Sequence, residues 1–64
     1  MNKTEREIFS LIQENGFYTY DEIAEKIGRT RDTAYDNLRK LKEKGLIKRI
    51  GADKNGHWEL ISED

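Results

Sequence analysis

The sequence contains no cysteine and no proline, and it has only one histidine. Without cysteine the chain can form neither disulfide bonds nor thiolate metal sites, so packing of apolar side chains must provide its stability. The single histidine, His57, has no ligand cluster at metal-binding spacing and no partner for a nucleophile–base pair. A Gly-rich phosphate loop is also missing. We therefore expect no enzyme activity, no metal, no cofactor and no small-molecule site.

Long apolar runs are missing too. No run approaches the length of a membrane span, and the first residues do not resemble a signal peptide. The chain has 64 residues, enough for one small domain, and nothing in it resembles a linker or a repeat. We expect a single domain over residues 1–64, located in the cytoplasm and not in a membrane.

Apolar residues at helical spacing predict three helices. Thr4 with Glu7, and Thr19 with Glu22, match the capping box that satisfies free N–H groups at a helix start. Thr30 is expected to cap a third helix over about residues 30–44. Asn15-Gly16, Gly28 and Gly45 are expected to end the helices, where glycine can adopt the left-handed conformation. The predicted inner faces consist of Ile8, Leu11, Ile12, Ile23, Ala24, Ile27, Ala34, Leu38 and Leu41.

The last third of the chain changes to strand-like composition. Residues 46–50 and 57–61 are β-prone and flank a polar loop with Asn-Gly, which predicts a hairpin. Trp58 and Leu60 share one strand face and are expected to pack over the helices. Residues 17–19 are aromatic and β-branched, so we expect a short strand or extended connector there. The predicted fold class is α+β.

Charge is distributed unevenly along the chain, although the net charge is only -1. Residues 29–54 hold nine basic and four acidic side chains, a balance of +5. The remaining residues hold three basic and nine acidic side chains, a balance of -6. A basic segment joined to an acidic remainder is typical of a protein that binds a polyanion on one side.

The order of elements, together with two motifs, resembles the winged helix-turn-helix family. Residues 24–28 place a small residue inside the second helix and a glycine in the turn four positions later, as two closely crossing helices require. Residues 41–49 look like the end of a recognition helix that continues into a wing strand. Residues 45–60 are similar to the C-terminal domain of RecG-like, ATP-dependent helicase-related transcriptional regulators. This resemblance implies a prokaryotic regulator, either freestanding or as part of a larger parent chain, and it leaves a homodimer open.

The resemblance implies double-stranded DNA as the partner. The third helix would enter the major groove, and the wing, residues 51–57, would contact the backbone or the minor groove. The implied contact residues are Arg29, Arg31, Asp32, Thr33, Tyr35, Asp36, Arg39, Lys40, Arg49, Lys54 and Asn55.

Several of these residues also have a structural interpretation. Arg39 and Lys40 can simply pair with Asp36 along the helix. Thr33 can serve the helix start, and Tyr35 can belong to the edge of the core. The acidic residues on the helix also leave open a second function, a winged helix that binds another protein instead of DNA.

Overall fold

The computed structural model describes residues 2–51 and 56–61. Three helices precede two strands in chain order: α1 (Lys3–Glu14), α2 (Tyr20–Ile27), α3 (Arg31–Glu43), β1 (Ile47–Ile50) and β2 (His57–Leu60). The two strands pair in antiparallel orientation. This arrangement confirms the predicted α+β class with three helices and a C-terminal hairpin.

The first helix begins earlier than the sequence pattern predicted. Asn2 is the N-cap, its side chain accepts from the N–H of Glu5, and the Glu5 carboxylate accepts from the N–H of Asn2. The predicted capping box of Thr4 and Glu7 is therefore wrong, because both residues lie inside α1. Asparagine caps a helix as well as threonine does, and two overlapping boxes compete in this sequence.

The connection from α1 to α2 differs from the prediction in two ways. Gly16 does not adopt a positive φ, so the expected left-handed end of α1 is wrong. The short strand expected at residues 17–19 does not form. A single main-chain hydrogen bond replaces it, in which Trp58 N–H donates to the Gly16 carbonyl at 2.8 Å. A Cβ on residue 16 would collide with the carbonyl oxygen of Trp58, so glycine is needed here for close approach.

The second and third helices are separated by residues 28–30, as predicted. Thr19 and Glu22 form the predicted capping box at the start of α2. Gly28 ends α2 with a φ of 69°, a left-handed conformation that favours glycine. Thr30 then caps α3 by accepting from the N–H of Thr33. The tight turn fixes the angle at which α3 leaves α2.

The hairpin pairs Ile47 with Leu60 and Arg49 with Trp58. Because side chains alternate along a strand, these four residues share the face that packs against the helices. The other face carries Lys48, Ile50, His57 and Glu59.

The core forms where the predicted inner faces of all three helices meet the hairpin. Its buried members are Ile8, Ile12, Ile23, Ala24, Ala34, Leu38, Leu41, Ile47 and Trp58. Trp58 is only 6% exposed, and Leu60 packs against the same cluster. Both strand predictions are confirmed, and the wing is attached to the helices through the core.

The close approach at residue 16 predicts that Gly16→Ala destabilises the domain strongly. The added methyl group must displace the main chain of Trp58, which breaks a hydrogen bond and strains the packing. We expect a loss of about 3 kcal/mol in the free energy of unfolding, measured by urea denaturation.

Gly28→Ala is the matched control. A Cβ at residue 28 meets nothing within 4 Å, so only the positive φ is penalised, at about 1 kcal/mol. Equal losses for the two variants would contradict the role assigned to the contact between Gly16 and Trp58.

Candidate nucleic-acid interface

The solvent-facing side of α3 presents most of the predicted contact residues together. The inner side is formed by Ala34, Leu38 and Leu41, all at most 1% exposed. The outer side presents exposed side chains from one end of the helix to the other, namely Arg31, Asp32, Tyr35, Arg39 and Lys40. Asp36 and Thr33 lie on the same helix and are half-buried. We call this outer side the α3 ridge.

The centre of the α3 ridge is a three-residue charge cluster. Arg39 Nη2 donates to Asp36 Oδ1 at 2.8 Å, and Lys40 Nζ lies 3.5 Å from Asp36 Oδ2. The hydrogen bond from Arg39 is the main reason that the pKa of Asp36 is lowered from its usual value. Both cations nonetheless stay about half exposed. The structural interpretation of Arg39 and Lys40 as helix ion pairs is thus confirmed, and the side chains remain accessible.

The N-terminal end of the α3 ridge forms an ion pair with α2. Arg31 Nε lies 3.4 Å from Asp21 Oδ1, and both side chains are largely exposed. Arg29 is exposed in the turn, where its N–H donates to the carbonyl of Ala24. Thr33 takes part in the helix start, since its N–H and its hydroxyl both bond to the Thr30 hydroxyl. Of the two interpretations of Thr33, the structure therefore supports the structural one.

An aromatic layer lies beside the ridge. Tyr35 is 54% exposed, so it does not belong to the core edge; its ring contacts Tyr20, and Tyr20 contacts Trp58 edge-on. Arg49, half-buried, lies over the Trp58 ring at 5.1 Å. A shallow groove between α2, α3 and β2 is lined by these three aromatic rings together with Leu38, Arg39 and Lys42. Lys42 was not predicted as a contact residue, although it shares this groove with Arg39.

The wing side of the interface is only partly described. Lys54 and Asn55, two predicted contacts, lie outside the described residues. On the outer face of the hairpin, the His57 ring stacks on Phe17 at 4.6 Å and bonds to Glu59 at 2.9 Å. His57 is thus half-buried. The hydrogen bond with His57 is the main reason that the pKa of Glu59 is lowered from its usual value.

An ion pair between a buried carboxylate and a half-exposed lysine joins α1 to the end of α3. Glu5 is only 2% exposed, and its Oε2 accepts from Lys44 Nζ at 2.8 Å. This hydrogen bond, followed by the one from the N–H of Asn2, lowers the pKa of Glu5. The pair fixes the C-terminal end of α3 against the first turn of α1. Sequence reasoning missed it, because partners 39 positions apart leave no local pattern.

Residues 2–51 and 56–61 contain no group of three or more metal-ligating side chains. No helix in this part of the chain is long and apolar enough to cross a membrane.

A family model described as winged helix-turn-helix DNA-binding matches residues 1–48. This chain is a winged helix-turn-helix protein. The match includes all three helices and the start of β1, so it covers the entire α3 ridge. A search of curated proteins found no match.

Solved structures share the winged-helix fold. The Zalpha domain of Carassius auratus PKZ, crystallised with Z-DNA, is 25% identical with a TM-score of 0.77, over 92% of this chain and 94% of that one. MepR, a transcription regulator of the Staphylococcus aureus multidrug efflux pump MepA, is 24% identical with a TM-score of 0.76. A structure of the S. aureus MepR–DNA complex is 26% identical, with a TM-score of 0.70. Both MepR matches cover 97% of this chain, which spans 48% and 47% of the MepR chains.

The Glu5–Lys44 pair predicts a loss of stability in acid. The pKa of Glu5 in the folded protein lies below the ordinary value of 4.5. Its contribution is therefore complete above that pH and is lost as the pH falls through the folded-state pKa. We expect Glu5→Gln to lower the free energy of unfolding by about 2 kcal/mol at neutral pH, with the difference from the parent shrinking below pH 4.5.

Urea denaturation between neutral and acidic pH measures this effect, with Glu25→Gln as the control. Glu25 is exposed on α2 and forms no ion pair within the described ranges, so its substitution should change stability by less than about 0.5 kcal/mol. Lys44→Met should cost more than Glu5→Gln, because it leaves a buried carboxylate without its cation. A parent and Glu5→Gln variant that differ by the same amount at every pH would contradict this account.

Proposed function

We propose that this winged helix binds double-stranded DNA as the DNA-binding domain of a transcription regulator. The α3 ridge enters the major groove, and the wing contacts the adjacent backbone or minor groove. The observation that carries the proposal is the ridge itself: exposed Arg31, Arg39 and Lys40 project from the side of α3 opposite the core. Lateral attachment of the hairpin through Trp58 extends that surface beyond the helix.

Electrostatics and dimensions agree with this proposal. The segment that contains α3 and the hairpin carries the +5 balance, while the rest of the chain is acidic. A single α-helix fits the major groove, where arginine and lysine can reach base edges and phosphates. The family description names DNA binding. MepR was crystallised with DNA and the PKZ Zalpha domain with Z-DNA, which supports the same class of partner here.

Finer features belong to the same proposal. Since the chain spans about half of MepR, we propose that it acts within a larger regulator or as a homodimer. We further propose a prokaryotic, cytoplasmic regulator of the RecG-like kind without enzyme activity. The similarity of residues 45–60 supports the RecG-like assignment, and the function of the domain in DNA binding does not depend on it.

Binding to a random-sequence duplex should weaken steeply with salt. If about four to six basic side chains meet phosphates, the logarithm of affinity should fall against that of salt with a slope near -0.9 per contact. Arg39→Ala and Lys40→Ala should each reduce that slope by roughly 0.9. Fluorescence anisotropy with a labelled duplex between low and moderate salt measures both quantities.

Arg6→Ala is the matched control, because Arg6 is an exposed basic residue on α1, outside the basic segment. It removes the same charge and should leave the salt slope nearly unchanged. No binding at high micromolar protein and low salt, or equal effects of all three substitutions, would remove the proposal. Such a result would favour the alternative function, a winged helix that binds another protein.

Left-handed DNA is a second candidate partner. One observation favours it: the PKZ Zalpha domain and this chain cover each other almost completely, at 94% and 92%. That domain was crystallised with Z-DNA, so a domain of this size and fold is able to bind the left-handed form.

Circular dichroism of an alternating dC-dG duplex separates the two candidates. We expect the right-handed spectrum to persist when the protein is added at low salt, because a helix docked in the B-form major groove stabilises that form. Inversion of the spectrum, with tighter binding to a brominated left-handed duplex, would replace B-form DNA by Z-DNA as the partner.

A further inference from the structure

We propose that Asp36 is a positioning residue that sets the base specificity of the α3 ridge. It orients the Arg39 guanidinium toward a guanine edge, and it reduces attraction to phosphates of arbitrary sequence. This inference rests on the proposed binding to duplex DNA. It adds a substrate class, namely duplexes with a guanine in register with Arg39.

The Asp36 carboxylate contacts two cations, Arg39 and Lys40. Oδ1 of Asp36 accepts from Arg39 Nη2, and Oδ2 faces Lys40 Nζ at 3.5 Å. The carboxylate remains charged at neutral pH, since the hydrogen bond from Arg39 lowers its pKa further. Asp36 therefore acts on both of the central basic side chains of the ridge at once.

Arg39 retains the donors needed to bind guanine. A guanidinium has five N–H donors in a planar fork, and Asp36 is bonded to one of its nitrogens. The remaining donors can bind O6 and N7 of guanine in the major groove, the commonest specific contact of arginine. Fixing one edge of the fork restricts rotation of the long side chain, so less conformational freedom is lost on binding.

The Asp36–Arg39 pair is strong enough to orient the guanidinium but too weak to keep it from DNA. An exposed pair three positions apart on a helix changes an equilibrium constant by only about twofold. Asp36 therefore cannot prevent Arg39 from reaching DNA, but it does bias where the guanidinium points. A phosphate that competes for Arg39 or Lys40 must also approach a carboxylate, which weakens contacts that are independent of sequence.

The N-terminal end of the ridge shows the same arrangement, because Arg31 Nε lies 3.4 Å from Asp21 Oδ1. Arg31, Arg39 and Lys40 thus all have acidic neighbours, in a chain whose net charge is -1. Such a surface should bind arbitrary DNA weakly and depend on directed contacts for its affinity.

Asp36→Asn tests the inference, with Glu43→Gln as its matched control. Glu43 lies on the same helix, is exposed, is not among the residues of the ridge, and forms no ion pair with any residue in the described ranges. Both substitutions remove one negative charge and keep the size of the side chain. Only the first releases Arg39 and Lys40, so a difference between the variants isolates the pairing from the charge itself.

Two measurements should be made on each variant. One is anisotropy with a random-sequence duplex; the other is selection from a duplex library with a randomised core, followed by sequencing. The parent should enrich guanine at one position of each half-site. Asp36→Asn should bind the random duplex about threefold or more tightly, with a salt slope steeper by roughly 0.9, and should lose about twofold of its guanine preference, the bias that an exposed pair can supply.

Glu43→Gln should change random binding less and keep the guanine preference. In an Arg39→Lys background, which keeps the charge and removes the fork, Asp36→Asn should cause no further loss of preference. A further loss would show that Asp36 does not act through Arg39. Circular dichroism should show equal helix content for all variants, because both acids lie at the protein surface.

The outcomes separate the inference from the function on which it rests. Salt-dependent duplex binding by the parent, with Asp36→Asn and Glu43→Gln indistinguishable in affinity and preference, overturns the role of Asp36 and leaves the proposed function intact. No duplex binding by the parent or by either variant removes the proposed function and the inference together.

Discussion

The attachment of Trp58 to the helical scaffold is the interaction on which the rest of the structure depends. Its ring is buried in the core and meets Tyr20 edge-on. Its main-chain N–H donates to the carbonyl of Gly16. A two-stranded hairpin is at best marginally stable by itself. By joining β2 to the α1–α2 connection, Trp58 fixes the hairpin strands against the helices. Without this attachment the strands would have no fixed position relative to the α3 ridge.

The surface combines a basic segment with acidic neighbours for its exposed cations. Sequence-independent affinity comes from neutralised phosphates, and Arg31, Arg39 and Lys40 each lie beside a carboxylate of Asp21 or Asp36. Under the proposal for Asp36, these carboxylates weaken that attraction and increase the share of directed contacts in the affinity. Exposed pairs of this kind contribute little to stability, so their positions on the proposed binding surface are better explained by DNA recognition. Glu5 and Lys44 differ, because the carboxylate is buried and fixes α3 to α1.

Much of the fold could be predicted from the sequence, because local signals agree with the final packing. Apolar spacing identified the helix faces, and Thr19 with Glu22 marked the start of α2 correctly. Failures occurred where distant contacts decide the outcome. Gly16 looked like a left-handed helix end, whereas its real constraint is the main chain of Trp58, far along the sequence. The start of α1 was predicted wrongly because two capping boxes overlap there, and the structure uses Asn2 with Glu5, which also places Glu5 near Lys44.

The sequence predicted that the candidate site is one face of α3. It predicted only some of the contacts between side chains within that site. Asp36 with Arg39 and Lys40 follows from helical spacing, whereas Lys42 joins the groove only through the tertiary fold. The central claim is that α3 and the wing act as one DNA-binding surface. Heteronuclear NMR titration with a duplex tests it most directly. The account predicts amide shifts concentrated in residues 30–40 and 52–57; shifts centred on α1, or none at all, would contradict it.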